Sequence, residues 1–315
     1  MTLSLQASTN HKLSYLCTQN NITMHKSGFV NIIGNPNVGK STLMNALVGE
    51  RISIITSKSQ TTRHRILGIV NGEDFQIVYS DTPGIIKPNY KLQEKMMDFV
   101  SLSFDDADVF LYVTDVVESA EKNAEYIERL SKVKIPVLCL INKIDLASTE
   151  EVENLRLFWE SRLPNAKIFE ISALNGTNLD TVFNEIVSLL PEGPAWFPKD
   201  QLTDKTERFI VSEIIREKIL LNYQKEIPYS CEVAIEEFKE STDLIRIKSV
   251  IIVERQSQKG IIIGNKGAAI KKVGTQARLD IEKFFGKKVF LETFVKVEKD
   301  WRNNDRNLSN FGYGV

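Results

Sequence analysis

The run Gly34-Asn35-Pro36-Asn37-Val38-Gly39-Lys40-Ser41 sets glycines at both ends of a turn that closes on a lysine and a hydroxyl. It lies between a strand-like stretch, Phe29–Ile33, and a helical pattern from about Ser41 to Val48. In that context backbone N–H groups can turn inward around phosphate oxygens at a helix N-terminus. Lys40 then adds a charge on the terminal phosphates, and the Ser41 hydroxyl, followed by Thr42, suits Mg²⁺. Asn142-Lys143-Ile144-Asp145, just after the apolar stretch Val137–Ile141, narrows the base. The Asp145 carboxylate can accept from guanine N1–H and N2–H₂ together, a donor pair that adenine lacks, so adenine would leave a buried charge unpaired.

Two further loops follow strands in the order such a site needs. Asp81-Thr82-Pro83-Gly84 comes after Phe75–Tyr79, which places Asp81 at a strand's carboxyl end, where it can hold the metal through water. Gly84 is then placed to offer a backbone N–H to the γ-phosphate. Ser172-Ala173-Leu174, after Lys167–Ile171, can offer a backbone N–H to guanine O6. The residue after Gly84 is Ile85, whose side chain has no polar atom with which to orient water, so slow intrinsic hydrolysis is expected.

The elements that must carry these loops are short apolar runs alternating with helical patterns: Phe29–Ile33, Phe75–Tyr79, Val109–Val113, Val137–Ile141 and Lys167–Ile171, closing on a helix over Asn178–Leu190. That alternation predicts an α/β doubly wound sheet over residues 28–191. Pro191, Gly193, Pro194 and Pro198 then break both helix and strand, so 192–203 reads as a linker. Beyond it an α+β domain is expected over 204–302. It comprises a helix from about Lys205 to Leu220 opened by an Asp204/Glu207 capping pattern, strands at Cys231–Phe238 and Leu244–Arg255, two short helices, and a last strand, Lys288–Val297. Residues 1–27 read as a flexible extension, with Met1–Ile22 either a tail or an upstream start-codon artefact because Met24 directly precedes the first strand. Asn- and Gly-rich residues 303–315 read as a loose tail.

Charge is segregated. Residues 254–302 carry twelve Lys/Arg against six Asp/Glu, a net +6 that leaves −7 for the remainder of a chain whose total is −1. Such a segment has the electrostatic footprint of a polyanion site. Inside it, Gly264-Asn265-Lys266-Gly267 lies between two helical patterns, where the bare glycines let a nucleic-acid backbone pass close by. Arg255, Lys259 and Lys271 are the candidate phosphate contacts. Phe284, Phe285, Phe290 and Phe294, at helical or alternating spacing, read as core rather than as stacking platforms.

Together with Gln60-Thr61-Thr62-Arg63-His64-Arg65, these motifs resemble the Era-like GTPases of the translation-factor-related class, over nearly all of residues 28–302. The resemblance implies a P-loop GTPase fold followed by a type II KH domain, with GTP/GDP and Mg²⁺ bound. It also implies a threonine between the first two motifs that closes on Mg²⁺, placed at Thr62 with Thr61 as the alternative. Potassium-responsive relatives make Asn37 a candidate ligand for K⁺ near the β/γ-phosphates, supplying charge that an arginine finger supplies elsewhere. The implied RNA is the single-stranded 3′ end of 16S ribosomal RNA and the implied process is 30S subunit assembly. A monomer that binds no DNA, cytoplasmic with peripheral association at the inner face of the membrane, completes the expectation.

Composition excludes other classes. At 42% hydrophobic and 26% charged residues the 315-residue chain has an ordinary globular composition, and no apolar run approaches the roughly 18 residues a membrane helix needs. The first residues lack the basic start and apolar stretch of a secretory signal. Cys17, Cys139 and Cys231 lie far apart, which indicates neither a disulfide framework nor a zinc site. Two competing readings are a P-loop phosphotransferase, for which no acceptor base is evident, and a GTPase whose basic domain docks a protein or a lipid surface.

Overall fold

The computed structural model describes residues 24–118 and 123–314. The first domain is built on a mixed six-stranded sheet in the order β2-β3-β1-β4-β5-β6. In chain order its elements are β1 (Lys26–Gly34), α1 (Lys40–Val48), β2 (Ile66–Asn71), β3 (Phe75–Asp81), α2 (Lys91–Leu102), β4 (Val109–Asp115), α3 (Ala124–Ser131), β5 (Val137–Asn142), α4 (Thr149–Arg162), β6 (Lys167–Glu170) and α5 (Leu179–Leu189). Period-2 alternation sends Val30 and Ile32 of β1, with Leu138 and Leu140 of β5, into one core beneath α1 and α5. Ile33, Cys139 and Ile141 face the opposite way, toward α3 and α4 and the buried Trp159. Helices on both faces make the sheet doubly wound and bring the carboxyl ends of β1, β3, β4 and β5 to one edge.

The second domain follows as α6 (Glu207–Asn222), β7 (Cys231–Glu240), β8 (Leu244–Val253), α7 (Gln256–Ile263), α8 (Ala268–Phe285) and β9 (Lys288–Val297). Its sheet runs β7-β8-β9, antiparallel then parallel, with α6, α7 and α8 packed on one face around Val211, Ile215, Ile251, Val273 and Ile281. This helix-strand-strand-helix-helix-strand order is the expected α+β arrangement. A last helix, α9 (Asp305–Asn310), follows β9.

Several expected boundaries move. The first domain starts before residue 28, because β1 begins at Lys26 and the His25 ring bonds the Gly193 carbonyl at 2.9 Å. The reading of residues 1–23 lies outside the described residues. The antiparallel edge strand β2 was not foreseen, and 192–203 is a strap along it rather than a spacer. Ile69 N–H donates to Leu202 O (2.8 Å), Thr203 Oγ1 to Leu67 O (2.6 Å), and the Gln76 side-chain carbonyl takes the N–H groups of Trp196 and Phe197. A covered edge strand offers no template for another chain. Thr206, not Asp204, caps α6 through Phe209 N–H, while Asp204 bonds Leu67 N–H. β8 stops at Val253, two residues before Arg255, which stands at the N-cap of α7.

The largest correction is at the C-terminus, which is packed rather than loose. Leu308 and Tyr313 are buried in a seam with Leu92, Met96 and Val100 of α2 and Val250 and Ile252 of β8. Trp301 fills the same seam and donates its indole N–H to Ser230 O at 3.1 Å.

Candidate nucleotide and nucleic-acid sites

The P-loop is shaped by backbone that only glycine tolerates at its two ends. A Cβ on Gly34 would sit 2.1 Å from the Val113 carbonyl, and one on Gly39 (φ +97°) would sit 2.3 Å from Asn142 Nδ2. Lys40 is buried at the loop's mouth, with Nζ donating to the carbonyls of Gly34 (3.0 Å) and Asn35 (2.8 Å). Burial lowers its pKa to about 8, against the opposing pull of Asp81 and Glu118. Asn35 is fixed from behind by Glu118 (2.6 Å), a contact that no motif announced. Val38 packs its side chain into the core, so only its backbone faces the loop.

Ser41, Thr62 and Asp81 converge. Ser41 Oγ donates to Asp81 Oδ2 at 2.7 Å and lies 2.9 Å from Thr62 Oγ1, which is 3.3 Å from the same carboxylate oxygen. Thr61 faces its own loop instead, bonded to Thr56 Oγ1 (2.6 Å) and Lys58 O (2.7 Å). Asp81 is fully buried, and desolvation raises its pKa although the Ser41 hydroxyl and Lys40 oppose this. Its second oxygen, Oδ1, is buried with no hydrogen-bond partner among the described residues. Two hydroxyls beside a carboxylate with a spare oxygen is an all-oxygen donor set of the kind Mg²⁺ selects, so the residues fit that ion. Thr82 does not join them: its hydroxyl donates to Ile32 O at 2.8 Å inside the sheet. Gly84 touches the P-loop so closely that a Cβ there would lie 2.8 Å from Pro36, and the next N–H, of Ile85, bonds Gly34 O at 3.1 Å. The Ile85 side chain is buried among α2 and the interdomain seam.

At the base end, Asn142 acts as a brace. Its Nδ2 donates to Val38 O (2.8 Å) and its Oδ1 accepts from Ala173 N–H (2.9 Å), tying P-loop, β5 and the Ser172–Leu174 loop together. The Ala173 N–H is therefore engaged within the protein. Lys143 (φ +63°) arches over the loop, donating to Asn37 O at 2.6 Å and pairing with Asp115. Asp145 is exposed and oriented by Ser172 Oγ at 2.6 Å. Between the metal and base ends lies a cleft of about 490 Å³ whose walls include Lys40, Thr42, Thr62, Gly84, Lys143 and Leu174. Asn37 (φ +67°) stands at its side with Nδ2 bonded to Ser57 O at 3.0 Å.

In the second domain the Gly264–Gly267 turn joins α7 to α8. Gly264 (φ +71°) is packed, since a Cβ would meet Ala269 at 2.6 Å, whereas Gly267 (φ +79°) faces open space. Asn265 and Lys266 are exposed at its tip. Lys271 lines a groove of about 240 Å³ between α8 and β9, together with Ile270, Gly274, Arg278, Leu291 and Thr293. Gly274 keeps this groove open because it puts no side chain toward Thr293. Lys259 lies midway along α7, and Arg255 stands at its far end, about 12 Å from the turn at 1.5 Å per residue. The phenylalanines divide. Phe285 packs against the core, but Phe284, Phe290 and Phe294 are exposed, the latter two on the sheet face away from the helices with Arg246 and Lys248 over their rings.

Sequence reasoning missed the polar seam between the domains. Arg63, fully buried, donates to Cys231 O (2.8 Å), Pro228 O (3.2 Å) and Glu232 (3.2 Å), and Tyr313 donates to Glu232 at 2.7 Å. His64 stacks on Tyr313 with ring centroids 4.1 Å apart and bonds Phe311 O at 3.0 Å. Burial works against the Glu232 carboxylate, yet Arg63 and Arg216 hold its pKa below the usual range.

Comparisons with known proteins agree with this fold. The family described as 50S ribosome-binding GTPase matches residues 29–143, and the KH domain family matches residues 226–302. The chain is 46% identical to GTPase Era of Carboxydothermus hydrogenoformans over 92% of its own length and 98% of that protein's. To GTPase Era of Syntrophus aciditrophicus it is also 46% identical, over 92% and 96%. Among solved structures, Era in complex with MgGDPNP and nucleotides 1506–1542 of 16S ribosomal RNA superposes with a TM-score of 0.88 at 40% identity, covering 92% of this chain and all of that one. An Aquifex aeolicus Era variant bound to GDP and aluminium fluoride matches with the same score, identity and coverage.

Proposed function

This chain belongs to the GTPase Era family, and from that premise we propose that it is a GTP-operated clamp on the single-stranded 3′ end of 16S ribosomal RNA during 30S subunit assembly. The observation that carries the reading is the union in one chain of a cleft walled by the P-loop, Thr62 and Lys143 with a glycine turn, open at Gly267, beside a basic groove.

In the nucleotide cleft, the N–H groups of residues 37–41 cradle the phosphates and Lys40 lies against the terminal ones. Ser41, Thr62 and Asp81 would hold Mg²⁺, which when bound would supply positive charge to offset that of the phosphates. Asp145 reads guanine N1–H and N2–H₂, with Ser172 orienting the carboxylate and Asn142 and Lys143 keeping the base loop on the P-loop. Gly84 brings its N–H to the γ-phosphate, and loss of that phosphate frees both its loop and Thr62. Because Ile85 is apolar and buried, hydrolysis without a partner is slow. Asn37 would ligate K⁺ beside the phosphates, and replacing K⁺ with Na⁺ should then slow turnover.

On the RNA side, Gly264, Asn265, Lys266 and Gly267 pass the backbone, Lys271, Lys259 and Arg255 meet phosphates, and the groove beside Gly274 takes unpaired bases. A monomeric working form, a cytoplasmic setting and peripheral membrane contact belong to the same proposal and rest on the family resemblance.

The test is binding of a fluorescent RNA carrying the small-subunit 3′-end sequence, at fixed salt, with a GTP analogue, with GDP and without nucleotide. Tightest, sequence-selective binding is expected with the GTP analogue. Gly267→Asp, which places a charge in open space, should weaken it more than about tenfold while leaving GTP turnover intact. Absence of binding in every state overturns the RNA reading.

A further inference from the structure

The segment 49–65, which carries Thr62, contains no helix or strand of its own, so its shape comes from what it lies against. It lies against the second domain. Arg51 pairs with Glu217 of α6, whose side chain is buried, and Ile55 N–H points at the same carboxylate at 3.4 Å. Lys58 Nζ donates to the carbonyl of Tyr223, the residue that ends α6. Arg216, also on α6, donates to the carbonyl of Thr61, and Arg63 is bound to the Pro228 and Cys231 carbonyls and to Glu232. Thr62 therefore stands between two neighbours that are both fastened to the KH domain.

The contact at Thr61 is the more direct of the two. A peptide unit is planar, so fixing the Thr61 carbonyl also fixes the N–H and Cα of Thr62. Arg216 is suited to that work, because its guanidinium is fully buried and its planar fork is locked by Glu213 through Nε (2.7 Å) and Nη2 (2.5 Å). A fork held on one side has little freedom on the other. Lysine, with its single rotating ammonium, could keep the charge but not the geometry.

We propose that Arg216 is a positioning residue for the GTP-bound state. The KH domain supplies the guanidinium that orients the Thr61–Thr62 peptide, so that the Thr62 hydroxyl stands beside Ser41 and Asp81. This rests on the reading of Thr62 as the metal-binding switch threonine. Its consequence is reciprocal: whatever holds α6 in place favours GTP over GDP, and GTP in turn fixes α6 and the domain it belongs to. GTP and RNA then strengthen each other's binding whenever RNA favours this stance of α6.

The experiment measures affinities of the full chain, with Mg²⁺, for a fluorescent non-hydrolysable GTP analogue and for fluorescent GDP. The variants are Thr62→Ala, Arg216→Lys, Lys58→Ala and the double variant Thr62→Ala with Arg216→Lys. Thr62→Ala should lower the GTP-to-GDP affinity ratio. Arg216→Lys should lower it by about 5- to 20-fold with GDP binding unchanged, and should add nothing in the Thr62→Ala background. Lys58 is a long side chain at the rim of the same contact, so Lys58→Ala leaves the core packed and should shift the ratio a few-fold in the same direction. If Arg216→Lys fails to fold, the Lys58 result decides. A ratio moved by Thr62→Ala but by neither tether variant overturns the inference and spares the switch reading. Additive effects of Thr62→Ala and Arg216→Lys also overturn it, and a ratio unmoved by Thr62→Ala sinks both readings.

Discussion

Substituting Tyr313 by Phe removes one oxygen from a residue sixteen places beyond the last strand, and the structure makes the result substantial. The Tyr313 hydroxyl donates to Glu232 Oε2 at 2.7 Å, in a seam where both side chains are buried. Burial first, then the neighbouring Glu232 charge, raises the phenol's pKa well above its usual value, so it remains a donor across the accessible pH range. Hydrogen bonds to charged groups contribute about 1.5–3 kcal/mol. Because Glu232 keeps the Arg63 contact at 3.2 Å and its bond from Val233 N–H at 3.0 Å, the loss belongs in the lower half of that range, about 1.5–2 kcal/mol. The ring remains, so the stack on His64 and the apolar burial are unchanged. Urea denaturation followed by tryptophan fluorescence reads the difference, Trp301 being in the same seam. In a Glu232→Gln background the acceptor is neutral, and Tyr313→Phe should then cost only about 0.5–1 kcal/mol. A cost below ~0.5 kcal/mol in the native background would refute the reasoning, since the C-terminal segment would then not be seated on Glu232.

Three further outcomes follow from the same geometry. Gly39→Ala puts a Cβ where Asn142 Nδ2 stands and strains a φ of +97°, so GTP and GDP affinity should both fall by at least about tenfold in a nucleotide titration. On the proposed reading, Asp145→Asn removes the acceptor for guanine N1–H and N2–H₂, and guanine nucleotide affinity should drop on the order of 100-fold or more. Xanthosine triphosphate, which presents a carbonyl where guanine has its amino group, should become the better ligand of that variant, whereas a misfolded protein would bind neither. His64 is kept below its usual pKa by burial, with Arg216 acting in the same sense and Glu213, Glu232 and the Phe311 carbonyl opposing. The unfolded chain thus takes up a proton near pH 6.5 that the folded chain refuses. Stability should be flat above that pH and fall below it by at most about 1.4 kcal/mol per pH unit, which His64→Gln should abolish between pH 7.5 and 5.5.

What was readable in the sequence was what is short-range. A P-loop is a local object: its glycines, lysine and hydroxyl are set by the turn they make, so spacing alone located that turn, and strand-end loops in chain order placed the other motifs at the same edge of the sheet. Thr82 and Asn142 show the limit of such reading. Both fall inside a motif, yet the Thr82 hydroxyl turns into the sheet and the Asn142 amide braces two loops, because a motif gives positions and not side-chain directions. Strand β2 was hidden by being a short edge strand interrupted at Gly68. There a Cβ would strike Val48 at 2.8 Å, a reason that exists only once α1 is packed above it. Residues 303–315 misled by composition, since Asn and Gly commonly mark loose chain.

By itself, then, the sequence determined the two domains, their order, the P-loop turn, the GNKG turn and the basic segment around it, because each is written in neighbouring residues or in the period of one element. Only the tertiary structure decided which threonine meets Asp81, that the C-terminal segment is wedged between the domains, and that the segment carrying Thr62 is held by Arg216 and Arg63. Those contacts join residues from 19 places apart, where Thr62 meets Asp81, to 155 and 247, where Arg216 meets Thr61 and His64 meets Phe311. No local pattern encodes such a partner, because it comes within reach only when both cores have formed and the seam between them has closed.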